Sequence, residues 1–265
     1  MTVIIPSWQT HDYLMGCLDS LEATPHCRVV VVDGASTDGS ADAAATRLPA
    51  ADVIRLPENR GFAYAVNTGL RHALADTSAS GPLILLNTDT VVAPHALQLL
   101  TEYLNTHARV AAVAPQLLLQ NGTPQPFGFG GDPTPAYLFR RGWQKLVHKR
   151  PLHHWGDEAI VDVDWVSFAC VAIRRQALTE TGLLDESYYM YFEDTDWCLR
   201  ARRLGWRITR YPMATVTHFG GAALKQNPRA IKAYRNSLRR FYRTHYSPLS
   251  RLALALMLPL YSRLA

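Results

Sequence analysis

Across its first 105 or so residues, the chain alternates short apolar runs with stretches that carry apolar residues at helical spacing. TVIIP is an apolar run ending at Pro6, and HDYLMGCLDSLEA repeats Leu14, Cys17, Leu18 and Leu21 on one helical face. A continuous β-branched run, VVVVD, then stops in the polar cluster GASTDGS. The helical SADAAATRL, the strand-like ADVIRL and the helical FAYAVNTGLRHAL follow, then the buried-type strand PLILL and the helical PHALQLLTEYL, opened by Pro94 in its first turn. Strands apolar on both faces, each followed by a helix, predict an α/β fold: a mostly parallel central sheet covered by helices on both faces. In such sheets ligands bind where strands end. Polar clusters stand at those ends: Ser7 and Trp8, Asp33 to Asp38, and Asn87 to Thr90.

The second half is less regular. VAAVAPQLLL, from residue 110, reads as a strand. Residues 121–157 mix Gly, Pro, aromatic and basic residues with little periodicity, as in a functional or mobile loop. VDVDWVSFACVAIRR returns to a strand-like pattern. EDTDWCLRARRLGWRI, residues 193–208, places acids ahead of Arg200, Arg202 and Arg203, a helix start and end that suit the helix dipole, with Gly205 as the C-cap. Two strand-like runs, WRITRYP and ATVTHFGG, come next.

From about Pro228 the pattern becomes helical and basic, and Leu252 to Leu260 forms an apolar stretch too short to span a bilayer. That stretch suits an interfacial helix on a membrane, a helix packed on the domain, or a homodimer contact. The predicted organisation is a domain over 1–225, divided into halves 1–110 and 111–225, with a basic helical extension over 226–265.

With 265 residues, 48% of them hydrophobic, the chain can bury a full core. A formal charge of +5 is compatible with a phosphate-bearing ligand or an anionic membrane face. No nucleic-acid-binding motif is present, so nucleic acid is not an expected partner. Cys17, Cys27, Cys170 and Cys198 form no CxxC pair and read as buried thiols of a reducing compartment rather than a zinc site. MTVIIPSWQ enters a strand at once, with no leader, which predicts a cytoplasmic protein, with peripheral contact at the inner face of the membrane left open.

Four clusters could carry chemistry, and each also has a plain structural reading. An acid past a buried strand, Asp33, could accept a bond from a base or sugar, or merely shape a turn. Gly61, at a helix start between Asn59 and Asn67, allows an anion close to the backbone. Asp89, ending LLNTD, is placed to hold a hard divalent cation. His218 precedes Gly220 and Gly221, which leave room for a ligand. Asp194 could act as a general base or cap its helix.

Taken in order, TVIIPSWQ, VVDGASTDGS, NRGFAYAVNTG, LLNTDT, DWVSFACVAIRR, FEDTDWCLRARRLGWRI and THFGG resemble the family 2 glycosyltransferases of the GT-A fold, especially the rhamnosyltransferase-like branch. They cover about residues 2–221. The resemblance implies an inverting transferase with a nucleotide-diphosphate-sugar donor in the first half and a glycan or lipid-linked glycan acceptor in the second. Pro6, Trp8 and Asp33 would then face the nucleotide, with Asn59, Gly61 and Asn67 near it and the sugar. Asn87, Thr88 and Asp89 would stand at the metal motif, and Asp89 with His218 would hold Mg2+ or Mn2+. Asp194 would be the catalytic base, with Trp165, Glu193 and Arg200 on the acceptor side.

The chain departs from the family pattern at three places. Asn87 replaces the first acid of the metal motif, Gly34 stands where an acid or amide is common, and Phe168 where small residues are common. A sugar nucleotidyltransferase, and a non-catalytic nucleotide-sugar binder or membrane-docked assembly subunit, remain as competing readings. The nucleotidyltransferase would carry a basic, Gly-rich N-terminal loop, which Ile5-Pro6-Ser7-Trp8 is not.

Overall fold

A computed structural model describes residues 1–22, 24, 27–220 and 229–261. The first half follows the predicted alternation: β1 (Thr2–Ser7), α1 (His11–Leu21), β2 (Arg28–Asp33), α2 (Ser40–Arg47), β3 (Asp52–Arg55), α3 (Phe62–Ala75), β4 (Leu83–Leu86), β5 (Thr90–Val92) and α4 (Ala96–Thr106). Then come β6 (Val110–Leu118), β7 (Phe129–Gly130), α5 (Pro135–Trp143), β8 (Val161–Asp162), β9 (Trp165–Val166), β10 (Cys170–Ile173), α6 (Arg175–Thr181), α7 (Glu193–Arg203), β11 (Arg207–His218), α8 (Arg229–His245) and α9 (Pro248–Tyr261).

The main sheet runs β3-β2-β1-β4-β10-β6-β11-β5, with β8 beside β11, and β7 and β9 form a separate ribbon. Strands β3, β2, β1 and β4 are parallel. Strand β10 then runs antiparallel between β4 and β6, and β5 and β8 run antiparallel to β11. The sheet is therefore mixed rather than mostly parallel.

Side chains alternate across it. Val3 and Ile5 face α1 and α4, through Leu14, Leu18, Leu97 and Leu100. Ile4 faces α3 and α7, through Val66, Leu70, Trp197 and Cys198. Each such aliphatic side chain, fully buried, contributes roughly 1.5–3 kcal/mol. Helix α3 lies so close to β1 that a Cβ on Gly69 would stand 2.4 Å from Ile4 Cγ2.

Several local expectations are corrected. Pro94 precedes α4 rather than opening it, because His95 takes a left-handed turn (φ 63°) before the helix starts at Ala96. The irregular 121–157 segment contains β7 and α5, which Thr134 caps by accepting a bond from Tyr137 N. The run 161–175 is not one strand; it breaks into β8, β9 and β10. The two strands expected over 206–221 are one strand, β11, whose pairing with β6 slips between Tyr211 and Thr215. Gly205 (φ 82°) does end α7, its N–H bonding Arg202 O at 2.9 Å.

Leu238, Phe241 and Tyr242 of α8 and Leu254 of α9 share a core with Leu138, Tyr188, Phe192 and Leu199. Residues 226–228, 262–265 and Gly221 lie outside the described residues. Among those described, no helix is long and apolar enough to cross a membrane.

Candidate active site

Strand β1 pairs with β4 only from Thr2 to Ile4, whereas it continues beside β2 to Ser7. The two strands part before Pro6, which has no N–H to offer a neighbour. This opens a crevice at the point where strand order reverses. Trp8, 46% exposed, stands at its mouth beside Gly34, whose backbone N–H bonds Ser7 O at 2.8 Å. At the end of β2, Asp33 is 3% exposed; its Oδ2 accepts a bond from Ser36 N at 2.9 Å, and its Oδ1 is buried without a partner. Asp38 is a cap, accepting bonds from Ser40 N and from His11 N, which join the starts of α2 and α1.

The 59–67 segment serves the fold more than a ligand. Asn59 Oδ1 accepts from Gly61 N at 2.9 Å and shapes the turn. Gly61 (φ 98°) carries no side chain because a Cβ there would lie 2.5 Å from Tyr189 O. Asn67, expected near the donor, is 1% exposed, and its amide bonds Leu184 O, Leu184 N and Glu186 Oε1, clamping α3 to residues 184–186.

At the end of β4, Asn87 N donates to Ala169 O at 2.8 Å, while Asn87 Oδ1 is another buried oxygen without a partner. Thr88 is buried beside it. Asp89 and His218, 129 residues apart in sequence, meet at 3.1 Å between Oδ1 and Nε2. The pairing of β5 with β11, in register Thr90 to His218, brings them together. On its other side the imidazole Nδ1 lies 2.8 Å from Gln125 Oε1. The ring thus stands between two acceptors, and a cation at Nε2 satisfies both sides at once.

An oxygen and a nitrogen ligand, with room for substrate oxygens, fit Mg2+ or Mn2+ held jointly by protein and phosphate. Among the described residues no third His, Cys, Asp or Glu joins the pair. The remaining ligands of such an ion would come from the substrate and water.

The second carboxylate site is built differently. Tyr191 and Phe192 both have φ near 69°, a conformation that non-glycine residues adopt at a cost of about 1–3 kcal/mol each. Neighbours hold them there. Phe192 packs on Tyr234 and Phe241, Tyr191 meets Tyr234 edge-on, and Ser237 Oγ donates to Met190 O at 2.8 Å. The strained turn delivers Glu193 and Asp194 to the first turn of α7.

Burial pushes Asp194 up to about 6, against bonds from Thr195 N, Thr195 Oγ1 and the Phe168 backbone that favour its ionised form. Burial, and then the charge of Asp194, hold Glu193 well above the usual carboxylate range, and its Oε2 has no partner. Burial thus raises the proton affinity of both adjacent carboxyls, and each charge opposes ionisation of the other. The chain links the two sites: Phe168 touches Asp194, and the next residue, Ala169, accepts the bond from Asn87 N.

On the expected acceptor side, the Trp165 indole packs over Gly130 and donates to Gly131 O at 2.9 Å, a partly exposed wall. Arg200, also expected on that side, makes bonds within the fold. Its guanidinium bonds Asp196 Oδ2, Thr181 O and Leu183 O, tying α7 to the turn after α6. Asp196, 2% exposed, also bonds His245 Nε2 at 2.6 Å and is structural. Three contributors were missed in the sequence: Gln125, Thr195 and Tyr189. Only Thr195 lies inside a conspicuous motif.

Residues 1–244 match the family described as glycosyltransferase-like family 2. Over 215 residues the chain is 26% identical to the N-acetylglucosaminyl-diphospho-decaprenol L-rhamnosyltransferase of Mycobacterium tuberculosis, covering 76% of this chain and 69% of that protein. A mannosyltransferase of Pyrobaculum calidifontis, solved with GDP-Man and Mn2+, superposes with a TM-score of 0.59 at 20% identity and covers 96% of this chain. GalNAc-T7, solved with UDP, GalNAc and Mn2+, gives 0.61 at 18% identity over 82% of this chain. The chain spans 63% and 43% of those two solved chains.

Proposed function

The chain belongs to the glycosyltransferase-like family 2 and has a GT-A-like α/β fold, and from that premise we propose that it is an inverting, metal-assisted glycosyltransferase. The observation that carries this reading is the meeting of Asp89 and His218 at the mouth of the crevice, with Asp194 linked to it through Phe168, Ala169 and Asn87. The orphaned oxygens of Asp33 and Asn87 at the strand ends await donor hydrogen-bond partners. Asp33 faces the nucleotide, and Trp8 offers an apolar ring to its base. Asp89 and His218 would hold a divalent cation, which when bound would supply positive charge to the diphosphate leaving group.

Asp194 takes the proton of an acceptor hydroxyl as that oxygen forms its bond to the anomeric carbon. The bond from that carbon to the diphosphate breaks on the opposite face, its electron pair leaving with the nucleotide, so configuration inverts. Glu193, whose burial and neighbouring Asp194 charge raise its proton affinity, flanks the base in the first turn of α7. Trp165 walls the acceptor. The 26%-identical relative, a rhamnosyltransferase, favours a rhamnosyl donor here, with a thymidine diphosphate leaving group first and uridine diphosphate next. The same relative favours a lipid-diphosphate-linked glycan as acceptor.

A thermal-shift screen of nucleotide sugars, with and without Mn2+ or Mg2+, tests the donor site, because a ligand of the folded state raises Tm. The reading predicts a metal-dependent shift with one donor class and release of its nucleoside diphosphate. Binding without turnover of any donor, in the presence of lipid-linked acceptors, would instead mark a non-catalytic binder.

A further inference from the structure

Charge is divided unevenly along this chain. Residues 197–265 hold 14 of the 27 Lys and Arg and none of the 22 Asp and Glu. Residues 133–156 add Arg140, Arg141, Lys145, Lys149 and Arg150, again without an acid. The fold brings these stretches together. Helix α9 packs against α5 and α8, with Leu138 and Leu254 buried in their shared core.

Away from that core, the two helices expose large apolar side chains. Phe139 and Trp143 of α5 are 60% and 55% exposed, and their rings stack at 6.2 Å. Leu146 and Val147 follow in the next turn, and α9 exposes Leu249, Leu252 and Leu256. These are seven of the fifteen exposed large apolar side chains among the described residues. Such a concentration marks an interaction surface rather than ordinary scatter.

We propose that α5, the turn after it, and α9 form a docking surface for an anionic lipid bilayer. Each component has a counterpart in the interface of such a bilayer. The Trp and Phe rings suit the headgroup boundary, the leucines reach the acyl region, and the surrounding Lys and Arg meet lipid phosphates. The absence of acids from both stretches removes the repulsion an anionic surface would otherwise meet. A second copy of the chain is a poor occupant, since two faces rich in Lys and Arg would be brought together.

The surface is also tied to the cleft. Helix α5 starts four residues after Gly131, which accepts the Trp165 indole bond, and Tyr242 of α8 donates to Pro133 O at 2.6 Å. Vesicle binding stands whatever reaction the cleft performs, whereas its service to a lipid-linked acceptor rests on the transferase reading.

Sedimentation of the full chain with vesicles of phosphatidylglycerol and phosphatidylcholine in equal parts, against phosphatidylcholine alone, tests the proposal. Binding should be at least about tenfold stronger to the anionic vesicles and should weaken as salt is raised. The double variant Phe139→Ser/Trp143→Ser should lose about tenfold in partition. Its far-UV spectrum and its donor-induced Tm shift should match the unmodified chain. The charge reversal Lys149→Glu/Arg150→Glu should weaken binding without touching any apolar contact, which guards against a misfolded first variant. Brominated lipid should quench the parent chain's fluorescence more than that of Trp143→Phe. Vesicle binding that is absent, or unchanged in both multiple variants, overturns the proposal. So does a dimer in solution that the Phe139/Trp143 variant dissociates. A chain that binds vesicles but turns over no donor leaves the docking surface standing and removes the transferase reading.

Discussion

The Asp89–His218 pair and the Glu193–Asp194 pair are linked through Asn87, Ala169 and Phe168 but are held in opposite ways. The first sits on neighbouring strand ends, with sheet register setting its 3.1 Å separation. The second sits on a helix start that follows two left-handed residues, and packing from α8 keeps it there. A cation-binding pair needs two groups pointing at one ion, which a rigid sheet edge provides. A base needs a raised proton affinity, and burial under a braced turn provides that. Orthodox backbone serves for ligand geometry here, while strain accompanies the tuned acid.

That contrast can be broken at several points, and the largest effect is expected at the base. Asp194→Asn should lower transfer by about 10²–10⁴-fold while leaving donor affinity, read by calorimetry, nearly unchanged. Near-normal turnover in that variant would remove Asp194 from the chemistry. On the sheet side, Asp89→Ala or His218→Ala should weaken metal-dependent donor binding by on the order of tenfold to a hundredfold. Equal donor affinity with and without Mn2+ in the unmodified chain would show that the pair holds no ion.

Arg200→Ala sharpens the helix side, since it should reduce stability by about 2 kcal/mol while acceptor KM stays constant. A raised acceptor KM at unchanged Tm would restore Arg200 to the acceptor site.

The smallest effect is a pH dependence. Activity should fall as pH drops through about 6, where Asp194 gains its proton. For stability the sign is set by Glu193. Above its ordinary value of 4.5, the folded chain keeps a proton that the unfolded chain has released. Stability present at low pH should therefore decline as pH rises, Glu193 contributing at most about 1.4 kcal/mol per unit, and Glu193→Gln should make that slope shallower in denaturant titrations, leaving the part that Asp194 contributes up to about pH 6.

The first half was legible because its signals are local. Runs such as VVVVD and LILL, short and bounded by turn residues, read as buried strands, and the helices between them repeat on one face. Asp89 and His218 could be singled out by residue type, yet their meeting depends on β5 pairing with β11, a contact no local pattern encodes. The bonds that Asn67 and Arg200 make within the fold were hidden for the same reason. Each is a polar residue in a conspicuous motif, and each is taken up by backbone groups far away in sequence, at Leu184 and Leu183. Helix α5 was missed because its exposed aromatics and arginines blur the apolar stripe that marks a helix. Gln125 sits in the same irregular stretch and gave no signal.

The bracing of Tyr191 and Phe192 by α8 has a bearing on how such chains could be recombined. A hybrid joining residues 1–220 of this protein to the helices of another family member would retain both pairs of cleft residues. Its turn ahead of Glu193 would nevertheless lose Tyr234, Ser237 and Phe241 as supports. Exchange should succeed only when the graft point falls before Met190, so that the strained turn, α7 and α8 travel as one inherited block.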